Sequence, residues 1–507
     1  MPEYDTLLGL WRSAVAEAGD DVLAIEDDRE YRYAEIDRAA RALAGGLGEM
    51  GLEPGERVAF VGPNCIEFIA AYLAVLQAGC IAVPINVRLA GEEMAYILDD
   101  AEAAAVFVHA DTRSPVENVL DDVPGVRRRI AIGFEADGYD SYDRLARSDP
   151  AGGVHRAEPG PDDVAAVLYT SGTTGRPKGA MLTQGNIAFN AESAELGMGF
   201  RADDRHLLAV VLFHVTGLNT VLPAAIRQRT SVVVTASPSP KEQLRLVEKH
   251  RATTLLGVPT TFIMMAGLPD IEQMDLRCLR LIAYSGAPMP IDTIRALDRR
   301  FPQADLMNFY GLTETTSIAS SLDPACAVSH AASIGKPAPR VEFRIADEGG
   351  APRGPNEVGE LCIRGGNIFK GYLNRPEATA GAFFDGGWFR TGDAALIDDD
   401  GFVFLRGRQT EMVIVGGENV YPVEVETVLC EHPAVREAAV LGMPDKVFGE
   451  RVRAVVVLKQ DAEATAADIR RYAAGRLAGF KVPARVDFAD ALPRNPSGKV
   501  VKRWIEK

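Results

Sequence analysis

The stretch VLYTSGTTGRPKGAMLT, residues 167–183, sets an apolar run directly against a loop dense in hydroxyls and glycines. Val164 to Tyr169 reads as a buried strand, so the loop leaves a strand's end, where α/β folds hold ligands. Gly172, Gly175 and Gly179 let the backbone turn tightly and bring N–H groups close to a ligand. Thr170, Ser171, Thr173 and Thr174 add hydroxyls, and Lys178 adds a mobile positive charge. That inventory suits a polyphosphate. A Walker-type loop wants Gly-Lys followed by Ser or Thr, whereas here Pro177 precedes Lys178 and Gly179 follows it. This is therefore a different phosphate loop. A surface linker is the competing reading, and a strand leading in with an apolar helical pattern soon after weighs against it.

The chain has 507 residues, too many for one hydrophobic core, so two or more domains are expected. A hydrophobic content of 47% with 25% charged residues is that of a soluble globular protein. The net charge of −17 argues against a nucleic-acid surface and against an anionic membrane surface, so an anionic ligand must meet locally placed cations and N–H groups. Cys65, Cys80, Cys278, Cys326, Cys362 and Cys430 are widely scattered, with no CxxC pair. Reduced, buried thiols in a cytoplasmic enzyme are expected, and a zinc site is not. The N-terminal stretch lacks a basic start followed by an apolar core, so no signal peptide is expected. Phe68 to Ile85 is apolar enough to raise a membrane span, but Gln77, Gly79 and Pro84 interrupt it. A buried helix to Ala78 and a short strand, Ile81 to Ile85, is the better reading.

The first half alternates strands with helix-period stretches, which predicts covered, largely parallel sheets. Further core strands are expected at 231–235, 253–257 and 279–286. Beyond about residue 340, VEFRIADEGG and GELCIRGG predict shorter strands in an antiparallel subdomain. Near RGRQTEMVIVGGENVYPVEVE the chain is expected to pass into a small C-terminal domain. There VREAAVLG, RVRAVVVL and ARVDFA read as strands and AADIRRYAAGRLAGF as an amphipathic helix.

The loop at 170–179, together with YSGAP, NFYGLTETT, GWFRTGD and LPRNPSGKV further along, resembles the signature segments of the adenylate-forming superfamily. That superfamily contains acyl-CoA synthetases, luciferases and the adenylation domains of peptide synthetases, and the resemblance spans nearly the whole chain. It implies an α/β fold with a large N-terminal domain of mostly parallel sheets plus a small antiparallel subdomain, over residues 1–407. A small, mobile α+β C-terminal domain over 408–507 would complete it, as in acyl-CoA synthetases.

The resemblance also implies residue roles. Tyr310, Gly311, Thr313 and Glu314 fall where the family packs an aromatic ring on adenine and uses the glutamate around Mg²⁺, with Thr170 beside it. One carboxylate next to phosphate oxygens is adequate for an ion that keeps several waters. Taken alone, YGLTE reads equally as a helix start with Thr313 capping and Glu314 in the first turn. Gly286, Ala287 and Pro288 match the backbone along adenine. Asp393 matches the ribose-binding carboxylate, Arg408 a ribose and phosphate contact, and Asn419 a further polar contact. Lys499 matches the adenylation lysine, so Lys499, Glu314 and Thr170 are the expected catalytic residues. His214, Val215, Gly217, Tyr284, Ser285 and Gly286 would line the acyl pocket, with His214 gating rather than transferring protons.

Gly416 and Gly417 match the glycine segment of the coenzyme A channel, and Arg408 and Thr410 the hinge. Two departures stand out. Thr410, followed by Glu411, occupies the place of a charged hinge residue, and Val211 stands before Leu-Phe-His where proline is common. The implied reaction joins a small carboxylic acid to coenzyme A at the expense of ATP, through acyl-AMP. A medium- or long-chain fatty acid leads; an aryl acid, or a carrier protein in place of coenzyme A, are the alternatives. The segments 213–219, 255–262 and 283–288 supply no arginine, which disfavours a second carboxylate as in malonate. No membrane span and no nucleic-acid partner are expected; oligomeric state stays open, with a homodimer among the options.

Overall fold

The computed structural model describes residues 5–148, 158–170, 176–269, 271–408, 411–416, 418–494 and 500–505. Ser171, Gly172, Thr173, Thr174, Gly175, Thr410, Gly417 and Lys499 lie outside them. The chain divides into two compact units. One comprises Met1–Ala331, Pro337–Glu342 and Arg364–Gly381; the other Ala332–Lys336, Phe343–Ile363 and Ala382–Lys507.

The first unit is built on two large sheets. In one, the strands Asp305–Tyr310, Leu281–Tyr284, Thr254–Gly257, Arg205–Leu208, Ser231–Val234 and Val22–Glu26 run side by side, each parallel to its neighbour. In the other, Val164–Thr170, Ile81–Pro84, Arg57–Val61, Ala103–His109 and Arg128–Ile132 are parallel. Their near-continuous burial is what strands covered on both faces require. Leu207, Val233, Leu255, Phe262 and Ile282 anchor one core, and Val61, Val83, Val106, Val108 and Val167 another. Helix Ile66–Gln77 is buried without a break from Phe68 to Leu76, and no helix among the described residues is long and apolar enough to cross a membrane.

The second unit holds an antiparallel sheet of Glu342–Ala346, Gly359–Arg364, Trp388–Ile397, Phe383–Phe384 and Val403–Arg408. Its other sheet pairs Val435–Asp445 with Gly449–Leu458 antiparallel, and sets Arg485–Phe488 parallel to the latter. Both match the segments expected as strands. The helix expected over 466–480 ends at Ala474, because Gly475 caps it and Gly479 follows within a turn.

Between the phosphate loop and the helix expected soon after it lies strand Lys178–Thr183, antiparallel to Val164–Thr170, with Thr170 opposite Lys178. Helix Gln184–Met198 begins only then, capped by Thr183 and Asn186, which bond each other's backbone N–H at 3.1 and 3.0 Å. The cysteines are also less uniform than expected. Cys65, Cys80 and Cys362 are buried, whereas Cys278 and Cys326 are half-buried and Cys430 is exposed. Burial pushes the Cys362 thiol up to about 12, which keeps it protonated and inert.

Candidate active site

Both described ends of the phosphate loop are fixed. On the incoming side, the Tyr169 hydroxyl donates to Asp100 at 2.8 Å; burial first, then this carboxylate, raises its pKa. Asp100 also binds the Arg375 guanidinium. On the outgoing side, the Tyr96 hydroxyl donates to the Pro177 carbonyl at 3.1 Å, and Arg176 lies over the Tyr96 ring at 5.1 Å. Gly179 is required here, since a Cβ would come within 2.6 Å of Val167 and 3.0 Å of Tyr169. Lys178 projects its ammonium over the face of Tyr372, 4.0 Å from the ring centroid.

The same ring reaches Glu314. The Tyr372 hydroxyl donates to Glu314 Oε1 at 2.8 Å, so the loop lysine and the glutamate of the YGLTE segment share one neighbour. Glu314 sits in a single 3₁₀ turn, Thr313–Thr315, after strand Asp305–Tyr310. Thr313 does not cap that turn; Thr315 does, its hydroxyl oxygen accepting from the Leu312 N–H at 2.8 Å. Gly311 admits no substitute, because a Cβ there would overlap the Ser317 carbonyl oxygen at 1.2 Å. Tyr310 is buried. Asn190, fully buried on helix Gln184–Met198, fastens the segment from behind. Its Oδ1 accepts from the Ile318 N–H at 3.0 Å, and its Nδ2 donates to the Asn219 carbonyl at 2.6 Å.

Asn219 belongs to the stretch expected to line the acyl pocket. It lies in the π-helical turn Gly217–Val221, an irregularity that recurs at functional sites. Gly217 permits that turn, since a Cβ would meet the Val211 carbonyl oxygen at 2.5 Å. Asn64 holds the lead-in, bonding the Leu212 N–H and the carbonyls of Leu208, Val210 and Thr235 at 2.7–3.1 Å. His214 is exposed, its Nδ1 accepting from the Thr216 N–H at 3.3 Å, and Val215 is buried. Gly286 adopts φ +88° beside exposed Ala287 and Pro288, while Ser285 is half-buried and bonds the Gly257 carbonyl. The Tyr284 ring is fully buried against Phe262, in the core of its sheet.

In the second unit Asp393 and Arg408 face each other across paired strands, with Arg408 Nε 3.0 Å from Asp393 Oδ1. Arg408 also donates to the Thr391 carbonyl at 2.7 Å, so the guanidinium is held from two sides. Asn419 is exposed on strand Glu418–Val420. Gly416 has φ +61°, donates to the Phe448 carbonyl at 2.8 Å, and leaves room a Cβ would take 3.1 Å from the Phe448 ring.

The fold and these constellations are those of an enzyme that adenylates carboxylates. Residues 11–373 match the family model of the AMP-binding enzymes, and residues 424–499 that of the AMP-binding enzyme C-terminal domain; the chain belongs to this family. It is 38% identical to a feruloyl-CoA synthase of Amycolatopsis sp, over 94% of this chain and 93% of that protein. It is 35% identical to an indoleacetate–CoA ligase of Aromatoleum aromaticum, over 94% and 92% respectively. A long-chain-fatty-acid–CoA ligase of Mycobacterium tuberculosis is likewise 35% identical, over 95% and 93%. Among solved structures, an anthranilate CoA ligase in complex with anthranoyl-AMP superimposes with a TM-score of 0.90 at 27% identity, covering 100% of this chain and 97% of that one.

The protein is accordingly an AMP-forming CoA ligase that uses ATP and coenzyme A as co-substrates, with Mg²⁺. The residues present fit that ion. The Glu314 carboxylate, joined to Lys178 through the Tyr372 ring, offers one hard oxygen donor beside the phosphate loop, while the Asp100 carboxylate at the loop's incoming end is taken by Tyr169 and Arg375. That is the donor set expected for Mg²⁺ held mainly by phosphate oxygens and water.

Proposed function

We propose that this ligase activates an apolar monocarboxylic acid, an aryl or arylalkyl acid in preference to a fatty acid, and transfers it to coenzyme A. The acid's carboxylate oxygen attacks the ATP α-phosphorus, pyrophosphate leaves, and the coenzyme A thiolate then displaces AMP from the acyl carbon. The loop residues Thr170 to Gly175 with Lys178 hold the departing phosphates. Tyr310, with the Gly286–Pro288 backbone, packs on adenine, while Gly311 and Thr313 shape the turn that carries Glu314. Asp393 accepts from the ribose hydroxyls beside Arg408 and Asn419. Lys499 neutralises charge on the reacting oxygens. Glu314 and Thr170 would hold Mg²⁺, which supplies charge neutralisation on the phosphate oxygens.

Val215, Gly217, Ser285 and Gly286 form the acyl wall, with His214 at its mouth and Tyr284 as the core support behind it. Gly416 and Gly417 admit the pantetheine arm. Because Lys499 and Gly416 serve different steps, residues 408–507 act as a separate domain that turns about Arg408 and Thr410 between them.

The observation that carries the substrate reading is the charge of the wall. Segments 213–219, 255–262 and 283–288 contain no lysine or arginine, so a second carboxylate would be buried without a partner. The Thr216 and Ser317 hydroxyls, 3.3 Å apart, offer a polar contact of the kind a ring substituent can use. Relatives named for ferulate and indoleacetate support the aryl choice. The fatty-acid reading has its own support in Val258, just before helix Pro259–Ala266, and Ile263 and Met264 on it, all 44–48% exposed, and in the relative named for long-chain fatty acids.

A panel of hydroxycinnamates, indoleacetate, benzoate, octanoate to palmitate and one dicarboxylate decides between them, with AMP formation measured with and without coenzyme A. We expect kcat/KM for an aryl acid to exceed that of the best fatty acid by about tenfold or more, the discrimination available to a shaped apolar pocket. Preference for a fatty acid would defeat the aryl reading, and preference for the dicarboxylate would defeat the monocarboxylate reading as well.

A further inference from the structure

We propose that Tyr372 is a positioning residue of the nucleotide site, a spacer that keeps Lys178 and Glu314 from pairing with each other and so leaves both available to magnesium–ATP. This rests on the reading of Lys178 as a phosphate contact and Glu314 as a Mg²⁺ contact given above. Lysine is a point charge on a flexible four-carbon arm, and a carboxylate within its reach is its natural partner. If the two met directly, each would neutralise the group the nucleotide needs. Tyr372 occupies both. Its ring face holds the ammonium at 4.0 Å from the centroid, and its hydroxyl donates to Glu314 Oε1 at 2.8 Å.

A spacer must itself be rigid, and Tyr372 is. Only 7% of the residue is exposed, and Phe369 packs edge-on against it with ring centroids 4.8 Å apart. Its backbone pairs with Ala180 in a short antiparallel ladder, and its N–H donates to Thr379 Oγ1 at 2.9 Å. The flanking residues tie the same segment to both charged groups. The Phe369 N–H donates to the Glu314 carbonyl at 2.9 Å, and the Leu373 N–H to the Gly179 carbonyl at 2.8 Å. Gly371 makes the turn into this position, with φ +143° and a Cβ position only 2.7 Å from the Thr379 methyl. Residues 369–373 are thus built to fix one ring between the strand that carries Lys178 and the turn that carries Glu314.

The test is calorimetric titration of magnesium–ATP into the full-length enzyme without any acid, so that binding is read apart from turnover. Tyr372→Phe keeps the ring and loses only the hydroxyl; we expect about fivefold weaker binding. The melting temperature should stay within about 2 °C of the parent. Lys178→Met and Glu314→Gln should each weaken binding by about tenfold or more, as loss of a charged phosphate or Mg²⁺ contact implies. The distinguishing measurement is the double variant. With Met at 178 no ammonium can capture Glu314, so adding Tyr372→Phe should cost less than about twofold further. Full additivity of the two losses would overturn the spacer role, as would unchanged binding by Tyr372→Phe while Lys178→Met and Glu314→Gln both weaken it. If neither Lys178→Met nor Glu314→Gln altered binding, the site reading beneath the proposal would itself fall.

Discussion

Lys499→Ala is expected to slow acyl-AMP formation by about 10²–10³-fold, the usual loss when one preorganised charge is removed from a developing anion. The same variant should make thioester from supplied acyl-AMP at close to the parent rate. The asymmetry follows from the chemistry. In the first half-reaction a carboxylate oxygen approaches a phosphate already carrying negative charge, and a lysine between them acts only as that charge builds. In the second, a thiolate attacks a neutral acyl carbon and AMP leaves, with no call on that ammonium. Lys499 lies outside the described residues, and the contacts that are described belong to the residues on either side of 495–499. Arg494 pairs with Val500 in an antiparallel bridge, the Val501 N–H donates to the Pro493 carbonyl at 2.9 Å, and Lys502 binds Glu411 and Glu426 at 2.9 and 2.8 Å. Single-turnover assays of each half-reaction separate the outcomes, and equal loss in both would refute the assignment.

Asp393→Ala should lower kcat/KM for ATP by about 10²-fold or more, because it removes the carboxylate that holds Arg408 and, on the proposed reading, a charged acceptor for two ribose hydroxyls. The Asp393 side chain is only 10% exposed, so little water can replace it. The loss should fall mainly on KM for ATP and leave KM for the acid nearly unchanged. Asp393→Asn, which keeps one acceptor and the side-chain volume, should recover part of the activity. Steady-state kinetics with ATP and acid varied in turn is the check. A loss confined to the acid's KM would remove Asp393 from the nucleotide site.

Both roles are proposed from the family resemblance, because a TGD segment or a lone lysine near the C-terminus read by itself is an ordinary turn or a solvated charge. The strand ahead of the phosphate loop was legible in its apolar run, whereas YGLTE read alone as a helix start proves to be a single 3₁₀ turn, and TGD lies within strand Trp388–Ile397 rather than in a turn. What stayed hidden depends on contacts between distant segments. Asp100, Tyr372 and Asn190 position the loop, Glu314 and the acyl segment, yet their partners lie 58 to 128 residues away for the bonds Tyr169–Asp100, Tyr372–Glu314 and Asn190–Ile318. Nothing in the local spacing of an aspartate at a helix end or an asparagine on an apolar helix announces such a partner. The strand Lys178–Thr183 was not legible because its burial does not alternate: Gly179 and Ala180 are both buried, as are Leu182 and Thr183. Gly179 makes that possible by letting Val167 and Tyr169 pack over a backbone with no side chain.

Attack by the acid's own oxygen on the α-phosphorus of ATP leaves an isotopic trace. With an accepted acid labelled with oxygen-18 in its carboxylate, together with ATP, Mg²⁺ and coenzyme A, AMP should carry one labelled oxygen, pyrophosphate none, and one AMP should form for each acyl-CoA. Formation of ADP with the label in inorganic phosphate would instead place the attack at the terminal phosphorus and contradict it.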